Sequence, residues 1–314
     1  MSNRLSWTCL AVLGALTATS TASAHNSWPA GRSLSPIVTA SWLQQNANRA
    51  NLVILDVRSE ASYVQGHIPR SISAPFQVPF SAWITMADDL LLEVPSQGEL
   101  FATLGALGIT SNSWVVVVSA PNPGEPASYG FSAATRVADT LIYAGVPNTS
   151  VLDGGYPRWV ADAGPVTTEI PAVAPTTYAG QVDSTMFVST EYVKEHIGRA
   201  SIVDARDADV YYGVTVEPWA SQAGHIPTAK SLPTPWIWSS DGIFKDASVL
   251  RQMAIGATGP GRGRETIVYC GVGGYASTAW FVLTQVLGYR NVKFYDGAAQ
   301  AWSKTETMTP YRWD

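Results

Sequence analysis

One short grammar occurs twice in this chain, and that repeat limits the folds open to it. Ser201-Ile-Val-Asp204-Ala-Arg206 repeats the pattern Leu55-Asp56-Val57-Arg58, and Gly224-His-Ile-Pro227 repeats Gly66-His-Ile-Pro69. Thr266 to Cys270 repeats Val115 to Ser119. Lys293-Phe-Tyr-Asp296-Gly297 repeats Ser150-Val-Leu-Asp153-Gly154, and Trp302 and Trp159 each follow their Asp by six residues. Self-similarity at this scale means two copies of one fold, and 314 residues suit two domains.

Within each copy, strand-like runs alternate with helical ones. Leu52 to Asp56, Trp114 to Ser119 and Thr266 to Tyr269 are rich in β-branched and aromatic residues and read as buried strands. Val38 to Asn46, Phe101 to Leu107, Ser132 to Tyr143, Ser189 to His196 and Ala276 to Leu287 read as helices. The expected class is α/β, each domain a mainly parallel sheet flanked by helices. The boundaries expected are 35–163 and 181–314. Between them the stretch 164–180, rich in Pro and Thr, reads as a linker. His25 to Ser35 is polar and reads as poorly ordered.

The two copies differ where a parallel sheet places its chemistry, at the carboxyl ends of the strands. In the second copy Cys270 follows a strand directly, and the turn Gly271-Val272-Gly273-Gly274-Tyr275 leads into a helix. Glycines let successive N–H groups converge, and a helix N-terminus adds partial positive charge. The pattern predicts a nucleophilic thiolate held by loop amides, with a pKa below the roughly 8.5 of a free thiol. In the first copy Ser119 takes the cysteine's place, and the prolines at 121, 123 and 126 follow it. Proline has no N–H, so that copy is expected to lack both nucleophile and cradle.

The net charge is −5 and no basic run occurs, which leaves nucleic-acid binding without electrostatic support. Arg4, the apolar Leu10 to Leu16 and Ala22-Ser23-Ala24 form a signal-peptide pattern over 1–24. The expectation is an exported protein, periplasmic in a Gram-negative source, with no stable membrane insertion after cleavage. Of the 2 Cys only Cys270 survives that cleavage, so no internal disulfide is expected. The 4 His lack ligand spacing, and neither a metal nor a cofactor is expected.

Taken together, the Asp-x-Arg, Gly-His-Ile-Pro, Cys-loop and Asp-Gly…Trp features resemble the rhodanese family of sulfurtransferases in its tandem form. The resemblance spans about 35–314. It implies an inactive first domain and a second domain working by sulfur transfer: Cys270 takes sulfane sulfur from a donor such as thiosulfate. The resulting persulfide is held by the loop amides, and a thiol or cyanide acceptor removes it. A persulfide carrier without turnover needs the same loop and is an alternative. So is a 3-mercaptopyruvate sulfurtransferase, although Val210 and Trp219 stand where such relatives carry carboxylate-clamping arginines. Ala276 takes the place of the arginine that a Cys-x5-Arg phosphatase requires. Asp204, Arg206 and Trp219 are candidates for a supporting layer around Cys270. His67 and His225 are expected to serve the backbone of their turns. Trp236 and Trp238 are expected in the core or as cleft walls.

Overall fold

The computed structural model describes Pro29 and residues 31–311. The proposed signal peptide lies outside the described residues. In the first half the strands are β1 (Ile37–Val38), β2 (Leu52–Asp56), β3 (Ile72–Ser73), β4 (Thr85–Ala87), β5 (Leu90–Glu93), β6 (Trp114–Val118) and β7 (Thr149–Leu152). Five of them form a sheet in the order β1-β7-β6-β2-β3. In the second half β8 (Ser201–Asp204), β9 (Lys230–Ser231), β10 (Thr266–Tyr269) and β11 (Val292–Phe294) form a sheet in the order β11-β10-β8-β9. Every neighbouring pair in both sheets is parallel. A bridge from Phe187 to Phe294 takes the place that β1 holds in the first half. The two halves are therefore copies of one architecture, as the repeat predicts.

The central strands explain the register. β10 is buried along its whole length, and Val115 to Val118 of β6 are fully buried. β-branched side chains pack both faces of such a strand, so its one polar exit is at the carboxyl end. Ser119 and Cys270 stand at those two exits.

The helices that follow, Ala127–Tyr143 and Gly274–Phe281, pack against each other across the molecule. Their contact is made of short hydroxyls. Thr135 Oγ1 lies 2.9 Å from Ser277 Oγ and 2.8 Å from Thr278 Oγ1, and Ser132 Oγ lies 3.1 Å from Thr278 Oγ1. The small side chains let the helices approach closely and bring the two strand ends face to face.

Several elements differ from the sequence reading. The helix expected from Ser132 begins at Ala127, directly after Pro126. The helix expected to run to Leu287 ends at Phe281 and continues as a π-helical turn over Val282–Val286. The antiparallel hairpin β4–β5 and the helix Ala247–Thr258 had no clear periodic signal. Residues 31–35 are fastened rather than loose. Arg32 donates to the Thr149 carbonyl (2.8 Å) and to Gln285 Oε1 (3.0 Å), so it ties the two halves together, and Leu34 is buried. Residues 164–180 have no helix or strand, but they lie strapped to the first half. Thr167 exchanges backbone hydrogen bonds with His67, and Tyr178 Oη donates to the Ala144 carbonyl at 2.6 Å. Among the described residues no helix is long and apolar enough to cross a membrane.

Candidate active site

Cys270 sits in the first turn beyond β10, almost fully buried. The Gly273 N–H donates to its Sγ at 3.1 Å. Gly273 caps the following helix with φ +92°, a left-handed conformation that glycine adopts without penalty. The loop is pinned from behind, since the Cys270 carbonyl accepts from the Ala299 N–H (2.9 Å) and the Gly271 carbonyl from the Gln300 N–H (3.1 Å). Thr234 Oγ1 holds the Tyr275 carbonyl at 2.9 Å.

Beneath Gly273 lies an ion pair built from both halves. Arg136, on the first half's long helix, grips Asp296 through contacts of 2.6 and 3.0 Å and also donates to the Leu92 carbonyl. Asp296 accepts the Val94 N–H at 2.8 Å as well. A Cβ on Gly273 would stand 2.8 Å from Asp296 Oδ1 and 3.3 Å from Arg136 Nη1. The half without the nucleophile thus supplies the floor under the nucleophile's loop.

Above the loop, Glu217 and Trp219 cover Gly271, whose added Cβ would meet Trp219 Nε1 at 2.2 Å and Glu217 Oε2 at 2.7 Å. Only glycine fits there. Neither of those two polar atoms has a hydrogen-bond partner, although both are buried. Glu217 Oε2 lies 3.6 Å from Arg206 Nη1. Burial pushes the Glu217 carboxyl up to about 7, with Arg206 pulling it back.

Asp204 and Arg206 do not reach the sulfur. Arg206 Nε and Nη2 clamp Asp204 at 2.9 and 2.6 Å, and Nη2 also donates to the Gly224 carbonyl at 2.7 Å. Asp56 and Arg58 make the same clamp in the first half, with the Gly66 carbonyl at 2.9 Å. A unit present at both sites, one without a cysteine, serves the fold. Asp204 also accepts from Tyr269 Oη at 2.6 Å, which links it to the strand that carries Cys270. His67 and His225 stack on Tyr63 and Tyr211 and hold backbone carbonyls, as expected of turn residues. Trp219 lines the site, whereas Trp238 lies in the core against Phe131 and Phe244, and Trp236 is exposed on the surface.

A cavity of about 670 Å³ opens over Cys270 between the halves. Gly271, Val272, Gly274 and Tyr275 line one side, and Ser119, Ala120 and Tyr129 of the first half line the other. Glu217, Arg136 and these walls from the first half carry no local motif, whereas Asp296 is the acid of the duplicated Asp-Gly…Trp pattern. The one signal for Glu217 is its place beside Trp219.

The thiol's acidity is opposite to the sequence expectation. Burial pushes Cys270 up to about 11; the amides of Ala276, Val272 and Gly273 pull it back, and the Glu217 charge adds to the rise. Desolvation of the thiolate outweighs the amides and helix end. A group with a raised pKa gains its reactive form only at high pH. Alkylation of Cys270 by iodoacetamide should therefore climb through neutral pH towards a midpoint near 11, followed by intact mass. A plateau reached below pH 8 would contradict this.

Known proteins supply a comparison for this geometry. The rhodanese-like domain matches residues 39–162 and again 189–305. The chain is 30% identical over 281 residues to the sulfur carrier protein TtuD of Thermus thermophilus, covering 85% of this chain and 93% of that one. It is 30% identical over 270 residues to a Saccharopolyspora erythraea protein named "Putative thiosulfate sulfurtransferase", covering 83% of this chain and 91% of that one. In fold it is similar to an anaerobic ergothioneine biosynthesis enzyme from Chlorobium limicola solved with trimethyl histidine, with TM-score 0.73, 22% identity, and coverage of 88% of this chain and 71% of that one. Two matched copies, two parallel sheets of one order and a cysteine at one of two equivalent strand ends lead to one conclusion: the chain belongs to the rhodanese family and carries its domain twice.

Proposed function

We propose that this protein transfers sulfane sulfur through a persulfide on Cys270. The observation that carries the proposal is the Gly273 N–H aimed at Sγ at the base of a cavity shared by both halves. An amide in that position stabilises negative charge that develops on sulfur during transfer. With thiosulfate, the Cys270 sulfur attacks the outer sulfur, the S–S bond breaks, and sulfite leaves with the electron pair. The thiol proton stays on the new persulfide, so Cys–SH and thiosulfate give Cys–S–SH and sulfite. Cyanide then takes the outer sulfur as thiocyanate and the thiol is restored.

Burial holds the Cys270 thiol above its ordinary value, so a neighbouring group that accepts its proton would aid attack. We assign that role to Glu217, which lies over Gly271, whose charge acts on Cys270 and whose carboxyl is near 7. The relative named as a sulfur carrier supports a second reading, in which Cys270 loads sulfur and surrenders it to a dedicated acceptor without rapid turnover. We also propose export, on the signal-peptide pattern of residues 1–24.

Thiocyanate release tests the proposal. Thiosulfate should give a higher kcat/KM than 3-mercaptopyruvate. Val210 is buried in its helix, and Trp219 covers Gly271, so no guanidinium stands at either place to hold a carboxylate. A higher value for mercaptopyruvate would reject this ranking. A single burst of thiocyanate followed by no further release would favour the carrier.

A further inference from the structure

The cavity over Cys270 is much larger than the small anions that rhodanese assays supply. Its volume of about 670 Å³ equals roughly twenty waters' share of liquid. A thiosulfate or cyanide ion would fill a small part of it. The walls are Val57, Phe76, Leu92, Tyr129, Trp219 and Tyr275, which come from both halves and present apolar and aromatic surface.

The charges are as telling as the size. Arg58 is the one cationic side chain among the lining residues; Asp56 and the Gly66 carbonyl hold its Nε and Nη2, and Asp56 matches its charge. Arg206, just behind the wall, is occupied by Asp204 and the Gly224 carbonyl, and its remaining nitrogen faces Glu217 at 3.6 Å. Asp204, Arg206 and Glu217 therefore sum to one negative charge (−1 + 1 − 1), with Glu217 on the cavity side. Glu125 is a second carboxylate on the lining. The Gly273 amide points at the sulfur, and so serves the reacting atom rather than a distant anionic group. An anionic thiol entering here would lose water and meet Glu217 with no unmatched cation to hold it, a cost that thiosulfate also bears when it loads Cys270. An apolar body would gain burial, and a cationic one would also gain Glu217 and aromatic faces.

We infer that the sulfur acceptor of this site is an organic thiol with an apolar body, uncharged or cationic, and that Glu217 turns anionic thiols away. The inference rests on the Cys270 persulfide reading. The acceptor's sulfur attacks the outer sulfur of Cys270–S–SH, the S–S bond breaks, and its electron pair goes to the Cys270 sulfur. The proton lost by the acceptor goes to Cys270, so R–SH and Cys–S–SH give R–S–SH and Cys–SH.

The test uses the mature protein loaded with sulfur from thiosulfate, freed of excess donor and checked by intact mass. Discharge is then timed with thiocholine, mercaptoethanesulfonate, benzyl mercaptan and mercaptoethanol. Each rate is divided by that of the same thiol with a small-molecule trisulfide in solution. At pH 8 the cationic thiocholine should outpace the anionic mercaptoethanesulfonate by about tenfold or more, and benzyl mercaptan should outpace mercaptoethanol by a similar factor. Glu217 loses its charge as pH falls through about 7, so the cation-to-anion ratio should shrink at pH 6. It should shrink at pH 8 in Glu217→Gln; if that variant does not load, the pH 6 ratio of the wild-type protein decides. A loaded protein that prefers the anionic thiol, or whose ratio ignores pH, overturns this inference alone. A protein that takes sulfur neither from thiosulfate nor from an uncharged organic persulfide overturns the persulfide reading and the inference with it.

Discussion

Gly273→Pro should lower sulfur transfer by about 100-fold or more while leaving the far-ultraviolet circular dichroism unchanged. Two effects act on one atom. Proline has no N–H, so Sγ loses the donor that now stands 3.1 Å away. Its ring also fixes φ near −65°, whereas Gly273 needs +92°, so the loop must rebuild. Gly273→Ala separates the two. It keeps the N–H but faces the positive φ, a cost of about 1–2 kcal/mol, and its Cβ would press on Asp296 Oδ1 at 2.8 Å. Its activity should fall between those of the wild type and the proline variant. Wild-type rates in the proline variant would mean that the Gly273 amide plays no part in the transfer.

Arg136→Met should be the most destabilising change outside the loop. The guanidinium is fully buried between the halves and holds Asp296 and the Leu92 carbonyl. Removing it leaves the Asp296 carboxylate buried with the Val94 N–H as its remaining hydrogen-bond donor. Breaking one side of a buried ion pair costs about 3–5 kcal/mol. Urea unfolding should show that loss. Sulfur transfer should fall too at temperatures where the variant is still folded, because Asp296 backs Gly273. The double variant Arg136→Met/Asp296→Asn should recover part of the stability, since the orphaned charge goes with its partner. A stable Arg136→Met with full activity would show that the first half does not support the loop.

What the sequence made legible was local or repeated. The duplicated Asp-x-Arg and Gly-His-Ile-Pro patterns foretold two sheets of one order, and the carboxyl-end rule placed Cys270 where β10 ends. The need for glycine at 273 was also readable, and the positive φ is its physical form. What could not be read was distance. Arg136 and Asp296 are 160 residues apart, and Leu91 binds the Gln300 side chain across 209 residues, so no window of pattern contains either pair. The thiol's acidity failed for the same reason. The amides and helix end that lower it are written in the loop, whereas the burial that raises it comes from both halves closing over the site. Glu217 stands outside every repeated pattern, and only the folded chain puts it over Gly271.

Intact mass of the protein after incubation with thiosulfate, with no acceptor present, tests the central claim most directly. The account predicts a gain of one sulfur atom's mass on the wild-type chain. Cyanide should remove it with stoichiometric thiocyanate, and Cys270→Ser should show no gain, because the described chain's one free thiol is replaced by a hydroxyl of similar size. An unshifted wild-type mass with every donor tried, or an equal gain on Cys270→Ser, would contradict it.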